Sequence, residues 1–243
     1  MHNQLLVDRV GVCLMKRSSE PDLLETGIYT IPEVAELVQA PQDVVRIWVE
    51  GHTGKQTAVI DNQLGRVGGK VAVSFTNLME LRFVATFANA GVGLREIRKI
   101  MDEVKETLEH PHPFATHTVF KTDGKKIVAE IAKRNGISIY DLRTKNFEML
   151  AVVMKSLKDD VTYDPQGDAI WWRPRPKVAP NVIVHPHFSF GRPVLKASRI
   201  PTATLAQSVK VEGSAAFVAD IFEVPERQVR EAVKFEQELR KAA

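Results

Sequence analysis

Cysteine is nearly absent: Cys13 is the lone thiol among 243 residues. One thiol closes no disulfide within the chain and builds no all-cysteine metal site. A reducing, cytoplasmic setting is therefore expected, with Cys13 read as a small buried or tethering residue. Long apolar runs are missing as well. None approaches the about 20 residues that span a bilayer, so no membrane partner is expected. Residues 2–19 mix acid and base and lack the long apolar stretch of a secretory signal. Excess charge is small: the net is +3, with a pI near 8.9. Such mild basicity permits a DNA-binding patch without requiring one. Signatures of catalysis are also lacking. The chain has no nucleophile elbow, no phosphate loop and no paired-carboxylate pattern, so neither an enzyme nor a cofactor is expected. Two His-Pro-His strings, at 110–112 and 185–187, are present. Zinc needs three or four convergent ligands, and the spacing offers no third, so no metal site is expected.

What is present is a globular composition, 44% hydrophobic and 26% charged, able to bury a real core. Within it one pattern occurs twice. Val34, Ala35, Glu36 and Leu37, then Ala40 and Pro41, then Val45 and Arg46 form the first copy. Val218, Ala219, Asp220 and Ile221, then Val224 and Pro225, then Val229 and Arg230 form the second, at a constant offset of 184 residues. Each copy sets a small residue in a short helix, where it lets a second helix approach. Each sets a Pro where that second helix starts, a position that needs no N–H. The Val then faces the first helix and the Arg faces out. This is the arrangement of a helix-turn-helix, whose second helix meets DNA.

Four segments follow from the pattern. Residues 1–27 read as an extension. In 28–112, Thr30 and Glu33 make a capping box for a helix running to about Val38. A turn leads to a second helix over 42–50, closed by Gly51. Residues 52–73 alternate and are rich in Gly, which predicts two short strands and a mobile tip, a wing. Leu78, Leu81, Val84, Ala85 and Ala88 form a helical stripe after Ser74. Gly91 and Gly93 break it before a helix from Leu94 that stops at Pro111 and Pro113. Residues 113–176 form a middle α+β segment. Asp123-Gly124 signals one hairpin, a helix covers about 145–157, and Pro165-Gln166-Gly167 turns a second hairpin. Ala132, Gly136 and Leu142 support a competing helix-turn-helix reading there. Pro174, Pro176 and Pro180 make a stiff linker. Residues 177–243 begin with a β-arch and continue with helices near 202–211, 214–222 and 225–240. The expected fold class is mainly α with small β-hairpins.

Two resemblances add to this reading. Tyr29-Thr30-Ile31, Glu33-Val34-Ala35, Val45-Arg46, Trp48, Gly51, Leu78, Leu81, Arg82 and the string 91–97 follow one order and spacing. On these residues, positions 28–109 resemble the DNA-binding domain of MerR-type regulators. The resemblance implies a winged helix-turn-helix whose second helix enters the major groove. His185-Pro186, the string 190–194, Arg199-Ile200-Pro201, Val229-Arg230, Ala232 and Phe235-Glu236 carry the second. Positions 181–243 resemble a small helix-turn-helix family of antitoxin-like domains. Ala197-Ser198 stands where that family has Gly-Thr. Together the two halves resemble a VapB-type antitoxin, and the resemblance implies a PIN-like ribonuclease toxin as partner. Two features depart from MerR-type regulators. Pro111 and Pro113 stop the chain where those proteins continue into a dimerising helix, and no cysteine follows Cys13.

The candidate DNA contacts are Gln42, Asp43 and Arg46 on the second helix, since Gln reads adenine edges and Arg reads guanine. His52, Lys55, Gln56, Arg66 and Lys70 on the wing are phosphate-type contacts. Trp171 and Trp172 are consecutive on a strand, so one points each way and one needs cover from outside. With Arg227, Arg230 and Phe235 they are the candidate partner surface. The mixed charge of the second copy's last helix suits a protein more than phosphate. The expected function is a DNA-binding antitoxin that represses its own operon, neutralises a toxin and acts as a homodimer on a palindromic operator. DNA binding is expected in residues 1–112 and partner binding in 113–243. A stand-alone transcription regulator and a scaffold that touches no DNA are the alternatives.

Overall fold

The structure is a computed structural model that describes residues 26–52, 57–120 and 158–241. Cys13, Lys55, Gln56, the Asp123-Gly124 hairpin, the competing reading at 132–142 and the helix expected over 145–157 lie outside the described residues.

The chain enters through β1 (Ile28–Thr30) and turns directly into α1 (Ile31–Val38). Thr30 makes that turn sharp. Its Oγ1 accepts from the Glu33 N–H at 3.5 Å, while the Glu33 carboxylate accepts from the Thr30 N–H at 2.8 Å. This is the capping box that the sequence spells. A left-handed Gln39 ends α1, and α2 (Gln42–Glu50) follows Pro41. Val34, Ala35, Val45 and Trp48 close the angle between the two helices. Where a wing is expected, the chain forms a short hairpin, β2 (Arg66–Val67) and β3 (Lys70–Ser74). Gly68 and Gly69, at φ 56° and 79°, form its turn. Two consecutive positive φ values are what the tightest hairpin turns demand. The sheet order is β1-β3-β2, all antiparallel, with Tyr29 opposite Val73. Thus β1 joins the hairpin to the start of α1, a pairing that the sequence pattern leaves unmarked.

Ser74 caps α3 (Phe75–Asn89). This helix is apolar nearly all round, as a central core helix must be. Ser74, Asn77 and Glu80 form one polar stripe along it, all three buried, and they hold the root of the hairpin. The Asn77 amide donates to the Asp61 carbonyl at 2.8 Å and to Glu80 Oε2 at 3.0 Å, while its Oδ1 accepts from the Gln63 N–H. Ser74 Oγ donates to the Gln63 side-chain oxygen at 2.6 Å. Gln63 in turn meets His112 Nε2 at 2.9 Å. His112 Nδ1 lies 3.2 Å from Glu80 Oε2 but out of line for a hydrogen bond. After α4 (Leu94–Leu108), the Pro-rich segment winds into short 3-10 turns, and the Phe114 ring packs tilted against Phe83.

The middle and back segments pack onto this front unit. Strands β4 (Val161–Tyr163) and β5 (Ala169–Trp172) form the second expected hairpin. Trp172 lies under the buried Arg82 guanidinium, 5.3 Å from its ring. Burial lowers Arg82 to about 10, opposed by Tyr163 and Asp160. Strands β6 (Val182–Ile183) and β7 (Val194–Leu195) then lead to α5 (Thr202–Glu212), α6 (Ala215–Ile221) and α7 (Glu226–Lys241). Val229, Ala232, Phe235 and Leu239 form the buried stripe of α7. The molecule is mainly α with small antiparallel hairpins, and its buried apolar residues run as one core from Tyr29 to Leu239.

The Pro-rich linker is part of this body. Arg175 is buried, and its guanidinium donates to the Leu37 carbonyl at 3.1 Å and the Glu36 carbonyl at 3.0 Å. These are orphan acceptors in the last turn of α1. The linker therefore caps the first helix of the front copy. Further on, the Asn181 side chain donates to the Glu231 carboxylate at 3.0 Å.

Candidate nucleic-acid interface

Of the residues expected to meet DNA, Gln42, Asp43 and Arg46 lie on the exposed side of α2, Arg66 and Lys70 on the hairpin, and His52 in the loop that follows α2. Gln42, Asp43, Arg46 and Glu50 are exposed, while Val45, Trp48 and Val49 turn inward. Positions 42, 46 and 50 are four apart, so they share one stripe of the helix. His52, Arg66 and Lys70 are exposed as well. What joins helix and hairpin is Glu50. Its carboxylate takes Arg46 at 3.4 Å and Arg66 at 2.5 Å. Arg66 also donates to the Gly69 carbonyl at 3.1 Å, which turns its guanidinium back over the hairpin. One carboxylate thus gathers two guanidinium groups from two elements onto one exposed face. Sequence reading missed Glu50 because a Glu at a helix C-terminus reads as a solvated charge. Its i+4 spacing from Arg46 was the available signal. Arg98 on α4 was missed too; its Nε donates to the Thr57 carbonyl at 3.0 Å and ties down the loop after α2.

The expected partner residues separate into two groups. Arg227 and Arg230 are exposed on α7, each paired with a carboxylate four residues away. Arg227 meets Glu231 at 3.1 Å, and Arg230 meets Glu226. Phe235 requires a correction: it is 0% exposed. It repeats with Val229 and Ala232 on the inner stripe of α7, so its area is spent on the core. Trp172 requires the same correction. It is buried under Arg82, and its backbone N–H donates to the Val184 carbonyl at 2.9 Å. The alternation argument holds for Trp171, which is partly exposed with Lys196 over its ring at 4.5 Å and Arg173 at 5.5 Å. Both His-Pro-His strings close on themselves in the same way. His110 Nδ1 accepts from the His112 N–H at 3.0 Å, and His185 Nδ1 from the His187 N–H at 3.1 Å. Each first imidazole therefore spends one nitrogen on its own turn. Burial, with His187 and Arg199 nearby, lowers His185 to about 4.

Among the described residues no helix is long and apolar enough to cross a membrane. No family model matches the chain, and no curated protein matches it. Among solved structures, the crystal structure of Rv2018 from Mycobacterium tuberculosis is similar to it. The TM-score is 0.68 at 20% identity, over 85% of this chain and 96% of that one. At that identity the likeness is one of fold.

Proposed function

We propose that the chain is a DNA-binding regulator of the antitoxin class, built on a front winged helix-turn-helix of MerR type and a back helix-turn-helix. In this reading α2 is the recognition helix and the β2–β3 hairpin is the wing. The observation that carries the DNA-binding part is the pairing of Arg46 and Arg66 on one exposed face through Glu50. A guanidinium on the second helix suits a base edge, and one on the hairpin suits the flanking phosphate. The Glu50 carboxylate holds both until phosphate replaces it. Neutralisation of a PIN-like ribonuclease toxin, repression of the chain's own operon and a homodimeric state complete the proposal. They rest on the two sequence resemblances. Arg227 and Arg230 remain the candidate toxin contacts, because both are exposed.

A mobility-shift titration of the full chain on the DNA upstream of its own gene tests the first part. Arg46→Ala is expected to cost about 1–3 kcal/mol of binding. For the toxin part, co-expression with the adjacent reading frame is the test. Growth arrest that this chain does not relieve would leave a stand-alone regulator as the better reading.

A further inference from the structure

The two helix-turn-helix copies are covered differently. In the first, Leu37 is 3% exposed, and the Arg175 segment closes on the carbonyls beside it. Ile221 holds the equivalent place in the second copy and is 53% exposed. One turn earlier the first copy has Glu33, and the second has Phe217, which is 51% exposed. Val211, at the end of α5, is 70% exposed. The copy without a cover is thus the one with an apolar outer face. Burial of α6 on its other side does not need these side chains, since Val218 and Ala219 already fill that face. A Phe and an Ile one turn apart on a short exposed helix mark a surface that awaits contact.

The charges around it say what fits. Glu212, Asp220 and Glu223 are exposed beside this face, with Lys210 as the one cation among them. A groove of about 560 Å³ flanks α6, lined by Lys177, Arg227, Arg230 and Lys234 together with Val209 and Ala215. Its four cations exceed the two carboxylates, Glu226 and Glu231, that pair with its arginines. The chain therefore carries an acidic-rimmed apolar face and a basic groove side by side. A two-fold axis brings each onto the other in a partner copy, as an isologous contact requires.

We propose that a second copy of this chain covers the outer face of α6. Phe217, Ile221 and Val211 form the apolar centre, and the acidic rim of each copy faces Lys177 and Lys234 of the other, while Arg227 and Arg230 stay with Glu231 and Glu226. The inference rests on the homodimeric reading above and supplies its surface. It also replaces the long dimerising helix that Pro111 and Pro113 exclude. The test is light scattering and sedimentation of the full chain at micromolar concentration, without DNA. The wild type is expected to be a dimer. Phe217→Glu with Ile221→Glu is expected to weaken association at least about tenfold, with the circular dichroism and melting temperature of a folded protein. Asp220→Lys with Glu223→Lys should weaken the dimer, and adding Lys177→Glu with Lys234→Glu should restore it. A monomeric wild type overturns the proposal together with the homodimeric reading. A wild-type dimer that the first pair leaves intact overturns the surface alone. The contacts of α2 and the hairpin with DNA are read separately, by the mobility shift.

Discussion

Replacing Arg175 by Met keeps the length of the stem but removes the charge and the donors. The wild-type side chain is buried, and burial holds its guanidinium below the usual arginine range while Glu238 opposes that shift. It donates to Leu37, Glu36 and Pro174 carbonyls at 3.1, 3.0 and 2.9 Å. Hydrogen bonds from a charged donor contribute about 1.5–3 kcal/mol each. Two of the acceptors are helix-end carbonyls that would be left without donors. Against this, Met escapes the desolvation of a cation. The balance is a loss of about 3 kcal/mol, which lowers the melting temperature by roughly 6–12 °C in a chain of this size. Arg175→Lys should fall near Met, because one ammonium cannot reproduce the planar fork. Urea denaturation at unchanged slope is the assay. A loss below about 1 kcal/mol would refute the view that the linker caps α1. The same reasoning makes a fragment of residues 1–112 melt below the full chain, because it lacks both Arg175 and α7.

Three further outcomes are expected. Gly191→Ala should cost about 2–4 kcal/mol, because φ is +91° and a Cβ would meet the Tyr29 ring 2.7 Å from Cζ; a melting temperature equal to wild type would reject that contact. Tyr29→Phe should stabilise the fold by about 1 kcal/mol, because among the described residues its buried hydroxyl has no hydrogen-bond partner; a destabilised variant would reveal a missing partner. His185 should weaken the fold in mild acid. Above 6.5 it is neutral whether folded or unfolded; below 6.5 the unfolded chain takes a proton that the folded chain refuses until about 4. Stability is therefore lost as pH falls between those values. His185→Asn, which keeps an acceptor for the His187 N–H, should lose less over that window; equal losses would reject the assignment.

Local chemistry made much of this legible. The Thr30–Glu33 box, the Gly51 stop and the Pro165-Gln166-Gly167 turn are short-range features, and each stands where its residues put it. The helix α3 was legible from its apolar period, but the structure buries it nearly all round instead of on the one expected stripe. Long-range partners were not. Phe235 looked like a surface residue because it sits among charges, yet its spacing from Val229 and Ala232 already placed it inward. Arg175 stands among the prolines of the expected linker, and nothing local marks its acceptors, which lie on α1, 138 residues away. Glu50 was passed over because its second partner, Arg66, is 16 residues off, across a loop. Period and caps report on neighbours along the chain, and these contacts depend on tertiary packing.

In the proposed function, α2 and the hairpin bind DNA as one basic face. The most direct measurement is the affinity of the full chain for its own upstream DNA across a salt series, for wild type, Arg46→Ala, Arg66→Ala and Glu50→Gln. The account predicts weaker binding with altered sequence preference for Arg46→Ala. For Arg66→Ala it predicts a log–log salt slope flatter by roughly 0.9. Glu50→Gln should bind more tightly, because the carboxylate no longer competes with phosphate for both arginines. Four proteins with the same affinity and the same slope would contradict it.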